Sequence, residues 1–305
     1  MKNLVKSAAV AVLLFLAGCD KPNPVELDGP AGSSDEQSTI EVLSANPEES
    51  GSPYGYDTTA FFRPEDASLR YGSALIIARN RLFTGDSVSV TSFAELYIYD
   101  RTQPVTDAGG RTVTYKTKKA DFLRINNFHA RETSHMFRWR RGGGSLVDSL
   151  LGPKYRLFGK RGLLSPEFEL DANAEMDIRI KMPGQSPVQI TASLPEEITG
   201  SVKRVKLNGA DAMMINWNGA GSGHVVEVLI GARHIATGLM IPFYRITTRD
   251  DGQYIVPPSL LRVIPPSRFD APGVTLLRKA ELVSPLLEDG LYISAFSAYT
   301  IRPGN

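Results

Sequence analysis

The chain has 305 residues, 42% of them hydrophobic and 22% charged, with a formal net charge of +1. That balance is the one expected of a soluble globular protein with residues enough for one or two buried cores. One cysteine, Cys19, is present, which excludes an internal disulfide framework, so stability must come from the core.

The elements begin with Lys2 and Lys6, a short basic start, followed by the uncharged apolar stretch Ala8 to Leu16. It is too short for a permanent membrane span and has the makings of a secretory signal. Its end, Leu16-Ala17-Gly18-Cys19, resembles the lipobox of bacterial lipoproteins, with a Leu three before the Cys and two small residues between. The resemblance implies diacylglycerol transfer to the Cys19 sulfur, cleavage before Cys19 by the type II signal peptidase, and acylation of the new amino terminus. Residues 1–18 are then a signal peptide, and Cys19 carries the lipid. Burial of each acyl CH2 is worth roughly 0.8 kcal/mol, so two or three chains hold a protein on a bilayer durably. The location this implies is the bacterial cell envelope, with the folded domains outside the cytoplasm. Asp20 resembles an inner-membrane retention signal of enteric bacteria; because that rule varies among bacterial groups, inner and outer membrane both stay open. No second apolar run is long enough to cross a membrane as a helix.

Residues 19–50 read as an acidic, disordered tether. From Asp20 to Ser50 there are eight acidic residues against the single base Lys21, with Pro, Gly and Ser frequent and aromatics absent. Such a segment buries too little apolar area to offset its conformational entropy.

Beyond it, alternation at period two dominates, and the predicted fold class is mainly β: two sandwich-like domains, an N-terminal β-rich one over 51–184 and a C-terminal one over 185–305. In the first, Phe93, Leu96 and Ile98 mark a strand, Thr112-Val113-Thr114-Tyr115 alternates again, and Asp121 to Ile125 follows. The run MDIRIKM puts Met176, Ile178, Ile180 and Met182 on one face and Asp177, Arg179 and Lys181 on the other, as in a strand with one wet face. Two short helices are expected, one around PEDASL within Ala60 to Tyr71, the other at Ser145 to Leu151. Pro183-Gly184-Gln185-Ser186-Pro187 reads as the break between domains.

The C-terminal part opens at Val188 and carries short strands separated by Gly, Asn, Asp and Pro. The run INWNGAGSGHVVEVLI reads as a strand closed by Trp217, a Gly-rich hairpin and a second strand. It looks like the early strands of fibronectin type III or immunoglobulin-like modules, and DDGQYIVPPSLLRVIPP, Asp250 to Pro266, is similar to a piece of Ig-like modules in bacterial surface lipoproteins. The resemblance implies a β-sandwich and carries no catalytic residues. From the residues themselves, Asp251-Gly252 supplies a tight turn with positive φ at the glycine. Tyr254 and Val256 then face one way and Gln253 and Ile255 the other, and Ser259-Leu260-Leu261 forms a helical turn.

Catalytic and cofactor signatures are not assembled. GAGSG and GGGSL both miss the G-x-S-x-G spacing that lifts a nucleophilic serine, and neither a P-loop nor a dinucleotide fingerprint occurs. Of the four histidines, only His129 and His135 with Glu132 cluster, short of the close-spaced ligand pairs of a zinc site; no metal or cofactor is expected. Glu167 and Glu169 share a strand face and lack any sign of the cleft that paired carboxylates need.

The least ordinary stretch is Arg131 to Arg161. Arg131, Arg138, Arg140, Arg141, Lys154, Arg156, Lys160 and Arg161 face only Glu132 and Asp148, with Phe137, Trp139, Tyr155 and Phe158 interleaved. Behind a lipobox, Arg138, Arg140, Arg141, Lys154, Arg156, Lys160 and Arg161 form a candidate patch for an anionic partner such as lipid headgroups, lipopolysaccharide, acidic polysaccharide or the chain's own tether, rather than nucleic acid. The plainer alternative is a wet strand face alternating with core aromatics. The expectation is thus a lipid-anchored envelope protein of non-enzymatic type that binds a protein or glycan partner or acts structurally. The alternative is a carbohydrate-active envelope enzyme whose site no spacing reveals.

Overall fold

The computed structural model describes residues 38–43, 64–83, 87–107, 109–140, 146–159, 168–219, 225–236, 240–262 and 264–301. The fold is mainly β and sandwich-like, built on one long sheet. In spatial order it runs β1 (Thr39–Val42), β14 (Met240–Arg249), β13 (Val225–His234), β16 (Phe269–Ser284), β17 (Leu291–Ile301), β2 (Ser73–Phe83), β3 (Val88–Thr106), β8 (Leu146–Gly159), β7 (Arg131–Arg140), with β4 (Thr112–Thr117) paired to β3. A four-stranded sheet has the order β10 (Val188–Ser193), β9 (Glu175–Lys181), β5 (Phe122–Ile125), β6 (Phe128–His129). A three-stranded one has the order β11 (Gly200–Leu207), β12 (Ala210–Trp217), β15 (Gln253–Val256). Two short helices, α1 (Pro64–Ser68) and α2 (Pro258–Leu261), complete the described elements.

The two small sheets cover the same face of the long one. In β17, Leu291, Ile293 and Ala295 belong to the core that takes Met176, Ile178, Ile180, Leu123 and Ile125 from the four-stranded sheet. Two and three steps further along the same face, Tyr299 and Ile301 join the core that takes Met213, Ile215, Trp217, Tyr254 and Val256 from the three-stranded sheet. Alternate residues of a strand share a face, so these two cores lie side by side. Phe296 and Ala298 point the other way, into a third cluster with Phe93, Tyr97, Tyr99 and Ala67 of α1. Strands buried on both faces read as near-continuous apolar runs, and β2 (SALIIARNRLF) and β17 (LYISAFSAYTI) do so.

Several sequence expectations hold. MDIRIKM supplies β9 with Met176, Ile178 and Ile180 fully buried. PEDAS is helical as α1, and Gly252 turns at φ 93° before the alternating strand QYIV.

Other expectations are corrected. Ser145 to Leu151 is not a helix: from Leu146 it belongs to β8, because cross-strand pairing with β7 outweighs the local preference of a short window. The tether does not run unbroken from 19 to 50, since Thr39–Val42 adds an edge strand to β14, with Ile40 buried and Glu41 3.0 Å from Arg245. Trp217 and Val225 do not flank a hairpin: β12 pairs with β11 and β15, whereas β13 pairs with β14 and β16 in the long sheet. The stretch Pro183 to Pro187 connects two strands that pair with each other, β9 and β10, so it turns a hairpin. The segments 51–184 and 185–305 also share the long sheet, where β2 and β17 run parallel over eleven register pairs, from Ser73 opposite Leu291 to Phe83 opposite Ile301. Proline and glycine punctuate hairpins as readily as linkers, and only long-range pairing tells the two apart.

Candidate ligand cleft

At one end of the sandwich formed by the three-stranded sheet and the long sheet lies a cavity of about 760 Å3. Its walls come from segments far apart in the chain. Val202 of β11 and Met213 of β12 form one side, Leu261 of α2 and Ile264 beyond it another, and Phe269, Val274, Tyr299 and Phe83 of the long sheet the floor. Each wall residue is placed by ordinary strand alternation. Met213, with Ile215 and Trp217, lies on the inner face of β12, and Tyr299 with Ile301 on the inner face of β17.

The floor is locked by aromatic contacts. Tyr299 stacks with Phe83 at 6.4 Å and 19°, and the Arg81 guanidinium sits 5.7 Å from the Tyr299 ring centre. Arg81 also pairs with Glu197 at 3.0 Å, and Glu197 pairs with Arg79 at 2.5 Å, which ties the segment before β11 to β2. Phe269 meets Phe243 edge-on at 4.9 Å. Edge-on and offset aromatic pairs of this kind favour fixed ring positions.

The rim carries Arg204 and two carboxylates, Asp211 and Asp270, that are each paired within the protein. Arg233 donates to both carboxylate oxygens of Asp270, from Nε to Oδ1 at 2.9 Å and from Nη2 to Oδ2 at 2.6 Å, with a longer Nε contact to Oδ2 at 3.1 Å. Asp211 pairs with Lys206 at 2.7 Å, and the hydrogen bond and charge of Lys206, with Arg204 nearby, hold its carboxyl below the usual range. Both rim carboxylates are therefore occupied as ion-pair partners. The interior can desolvate an apolar group, and the polar rim can orient what enters, which is the general make-up of ligand pockets.

A second cluster collects part of the basic stretch. Cross-strand register puts Glu95 of β3 opposite Arg156 of β8, on the face that also bears Tyr97 and Lys154. Arg156 lies 2.6 Å and Lys154 3.4 Å from the Glu95 carboxylate, to which Tyr97 also donates. Burial alone would raise the Glu95 pKa; Lys154 and Arg156 outweigh it and hold the group below the ordinary value. His135 of β7 is buried and packs edge-on against Tyr97 at 4.8 Å. Burial and the Lys154 charge, opposed by Glu95, depress its pKa to about 4, so it is neutral at physiological pH.

Lys154 and Arg156 are thus brought together, and they are committed to Glu95. Arg138 and Arg140 stand on the outer half of β7, where only their backbone is described; Arg141, Lys160, Arg161 and Cys19 lie outside the described residues. Of the one histidine cluster in the sequence, Glu132 and His135 sit on opposite faces of β7, and His129, on β6, is in another sheet. His224 and Glu167 lie outside the described residues, and among the described residues no three His, Cys, Asp or Glu side chains converge on a metal position.

The cleft itself escaped the sequence reading. Its walls are single residues from many strands, and the available hints, the alternation Val202-Lys203-Arg204 and the Pro265-Pro266 break, look like any edge strand and any loop. No protein-family model, no curated protein and no solved structure matches the chain.

Proposed function

We propose that the chain is a lipid-anchored cell-envelope protein of non-enzymatic type, which binds a partner through the cleft between β11, β12, α2 and the long sheet. The observation that carries this reading is the cleft's chemistry: about 760 Å3 walled by Val202, Met213, Ile264, Phe269 and Tyr299, with rim carboxylates already paired to Lys206 and Arg233. Such a lining favours an apolar segment of a protein over a glycan, whose hydroxyl groups would leave hydrogen bonds unmet against those walls. Burial of one Leu- or Phe-sized side chain there supplies roughly 1.5–3 kcal/mol, so a few such anchor residues would carry most of the apolar part of the binding energy. The lipobox-like Leu16 to Cys19 supplies the anchor in this reading, and the acidic segment after it spaces the folded part from the headgroups.

The test is a photoreactive residue at Ile264, in the cleft, compared with one at the exposed Lys203 on the outer face of β11. Irradiation in intact envelopes is expected to yield a discrete protein adduct from position 264 alone, abolished by Met213→Arg. Equal labelling from both positions, or an adduct that persists in Met213→Arg, would contradict the cleft as the binding site.

A further inference from the structure

Strand β11 forms an open margin of the cleft. It is the last strand of its sheet, and among the described residues no strand pairs with its other side. Two hydrogen bonds fix the direction of its backbone groups. The Trp217 N–H donates to the carbonyl of Gly252, just before β15, and the next N–H, that of Asn218, donates to the Thr199 carbonyl, just before β11. Successive residues of a strand direct their N–H and C=O groups to opposite neighbours. Met214 and Asn216 therefore bond β11 through Lys203 and Ser201, which stand opposite them, and Val202 and Arg204 turn their N–H and C=O groups to the open side. The side chains of Val202 and Arg204 face the cleft, because their register partners Ile215 and Met213 lie on the inner face of β12. A vacant strand position and an apolar cavity thus share one boundary.

The floor beside that margin is apolar and basic. In β2, Arg79, Arg81 and Phe83 alternate onto the face that bears Leu75 and Ile77. The four-stranded sheet packs over Leu75 and Ile77, whereas Phe83 lines the cleft beside Tyr299. Arg79 and Arg81 share the single carboxylate of Glu197. Arg204 is exposed and makes no ion pair among the described residues; the carboxyl near it, Asp211, is taken by Lys206. The open margin therefore carries an excess of positive charge over an apolar floor, with unpaired backbone groups between them.

We propose that the occupant of the cleft binds as an added strand. It is an extended segment of a partner protein that pairs with the open side of β11. Two residues apart on its inner face it carries an apolar side chain for Val202, Phe83 and Tyr299 and a carboxylate for Arg204. Main-chain bonds supply affinity in this mode and the alternate side chains supply specificity. The proposal rests on the cleft reading above and adds how the partner is recognised.

The probe is the end-blocked peptide Thr-Leu-Thr-Glu-Thr-Leu-Thr, which reads the same in both directions and so serves a parallel or an antiparallel guest. Amide exchange is followed by NMR in the full chain. In the free protein the N–H groups of Val202 and Arg204 are expected to exchange fast, and those of Lys203 and Val205, bonded to β12, slowly. Saturating peptide should slow Val202 and Arg204 by about tenfold or more. N-methylation of one alternate set of peptide residues should abolish binding, and of the other set should spare it. Lysine in place of the peptide's glutamate should weaken binding by about tenfold. Slow exchange of Val202 and Arg204 in the free protein, absence of binding, equal effects of the two N-methylated peptides, or no weakening by lysine overturns the added strand. Binding that persists in Met213→Arg overturns it too, by placing the peptide outside the cleft. A peptide displaced by Met213→Arg that leaves both amides unprotected refutes the added strand and leaves the cleft reading standing; the adduct from position 264 reports on that reading separately.

Discussion

Arg278→Met should be among the most damaging single substitutions in the C-terminal half. Arg278 on β16 and Asp250 at the end of β14 are both buried. The Arg278 Nε donates to Asp250 Oδ2 at 2.6 Å and its Nη2 to Oδ1 at 3.1 Å. The same guanidinium donates to the carbonyls of Glu197, at 2.9 Å, and of Asn218. The Trp217 indole donates to Asp250 Oδ1. One ion pair therefore clamps three connections of the three-stranded sheet to the long sheet: the approach to β11, the end of β12 and the turn before β15. Methionine keeps much of the side-chain volume and leaves the buried carboxylate without its counter-ion. Breaking a buried pair in this way costs about 3–5 kcal/mol, which at a urea m-value of roughly 3 kcal/mol/M moves the midpoint down by about 1–1.7 M. The assay is urea unfolding followed by Trp217 emission in a Trp139→Phe background. In an Asp250→Asn background the methionine should cost at least about 1 kcal/mol less, since no buried charge is left behind. A loss below about 1 kcal/mol for Arg278→Met, or the same loss in both backgrounds, would refute the reasoning.

Three further outcomes follow from named contacts. His135 has a folded pKa of about 4 against 6.5 in an open chain, so its contribution is whole above pH 6.5 and is lost as the pH falls to 4. Across that window the loss is about 3 kcal/mol at 1.36 kcal/mol per unit; His135→Leu should remove this part of the acid slope in unfolding titrations, and parallel wild-type and variant curves would count against it. Gly152→Ala combines a positive φ with a 2.4 Å approach to the Thr117 carbonyl oxygen; it is expected to cost upwards of about 1–3 kcal/mol in thermal unfolding, and a neutral result would mean that β8 is not close-packed against Thr117. The Tyr155 hydroxyl donates to the Ala120 carbonyl at 2.6 Å and accepts from the Ala120 N–H at 2.9 Å. Tyr155→Phe should cost about 1–3 kcal/mol by stranding both backbone groups and should speed amide exchange at Ala120, whereas unchanged exchange would show that these bonds do not protect it.

What could be read from the sequence was local. The alternation of MDIRIKM, the Asp251-Gly252 turn ahead of QYIV, the PEDAS helix and the mainly β class all rest on neighbours along the chain, and all are present. What could not be read depends on partners far away. Nothing in Ser73 to Phe83 says that its parallel neighbour starts at Leu291, more than two hundred residues on. The same holds for Thr39–Val42, whose alternation of β-branched and polar residues is too short to stand out inside an acidic segment until β14 offers it an edge. Glu95 has no visible partner until the β3–β8 register sets Arg156 opposite it, and that register turns two of the seven residues of an expected patch, Lys154 and Arg156, into an ion-pair cluster. The cleft is the extreme case, being a property of how two sheets and one loop fail to close.

The envelope reading of the protein's role depends on the folded part being held at a membrane by Cys19. The most direct measurement is the intact mass of the protein extracted from membranes of a bacterium expressing the full chain, beside a Cys19→Ser variant. The proposal predicts a chain that begins at Cys19 and carries the added mass of a diacylglyceryl group and an amino-terminal acyl chain, with both the cleavage and the added mass lost in the variant. A wild-type chain that starts elsewhere, or that starts at Cys19 with no lipid mass, would contradict it.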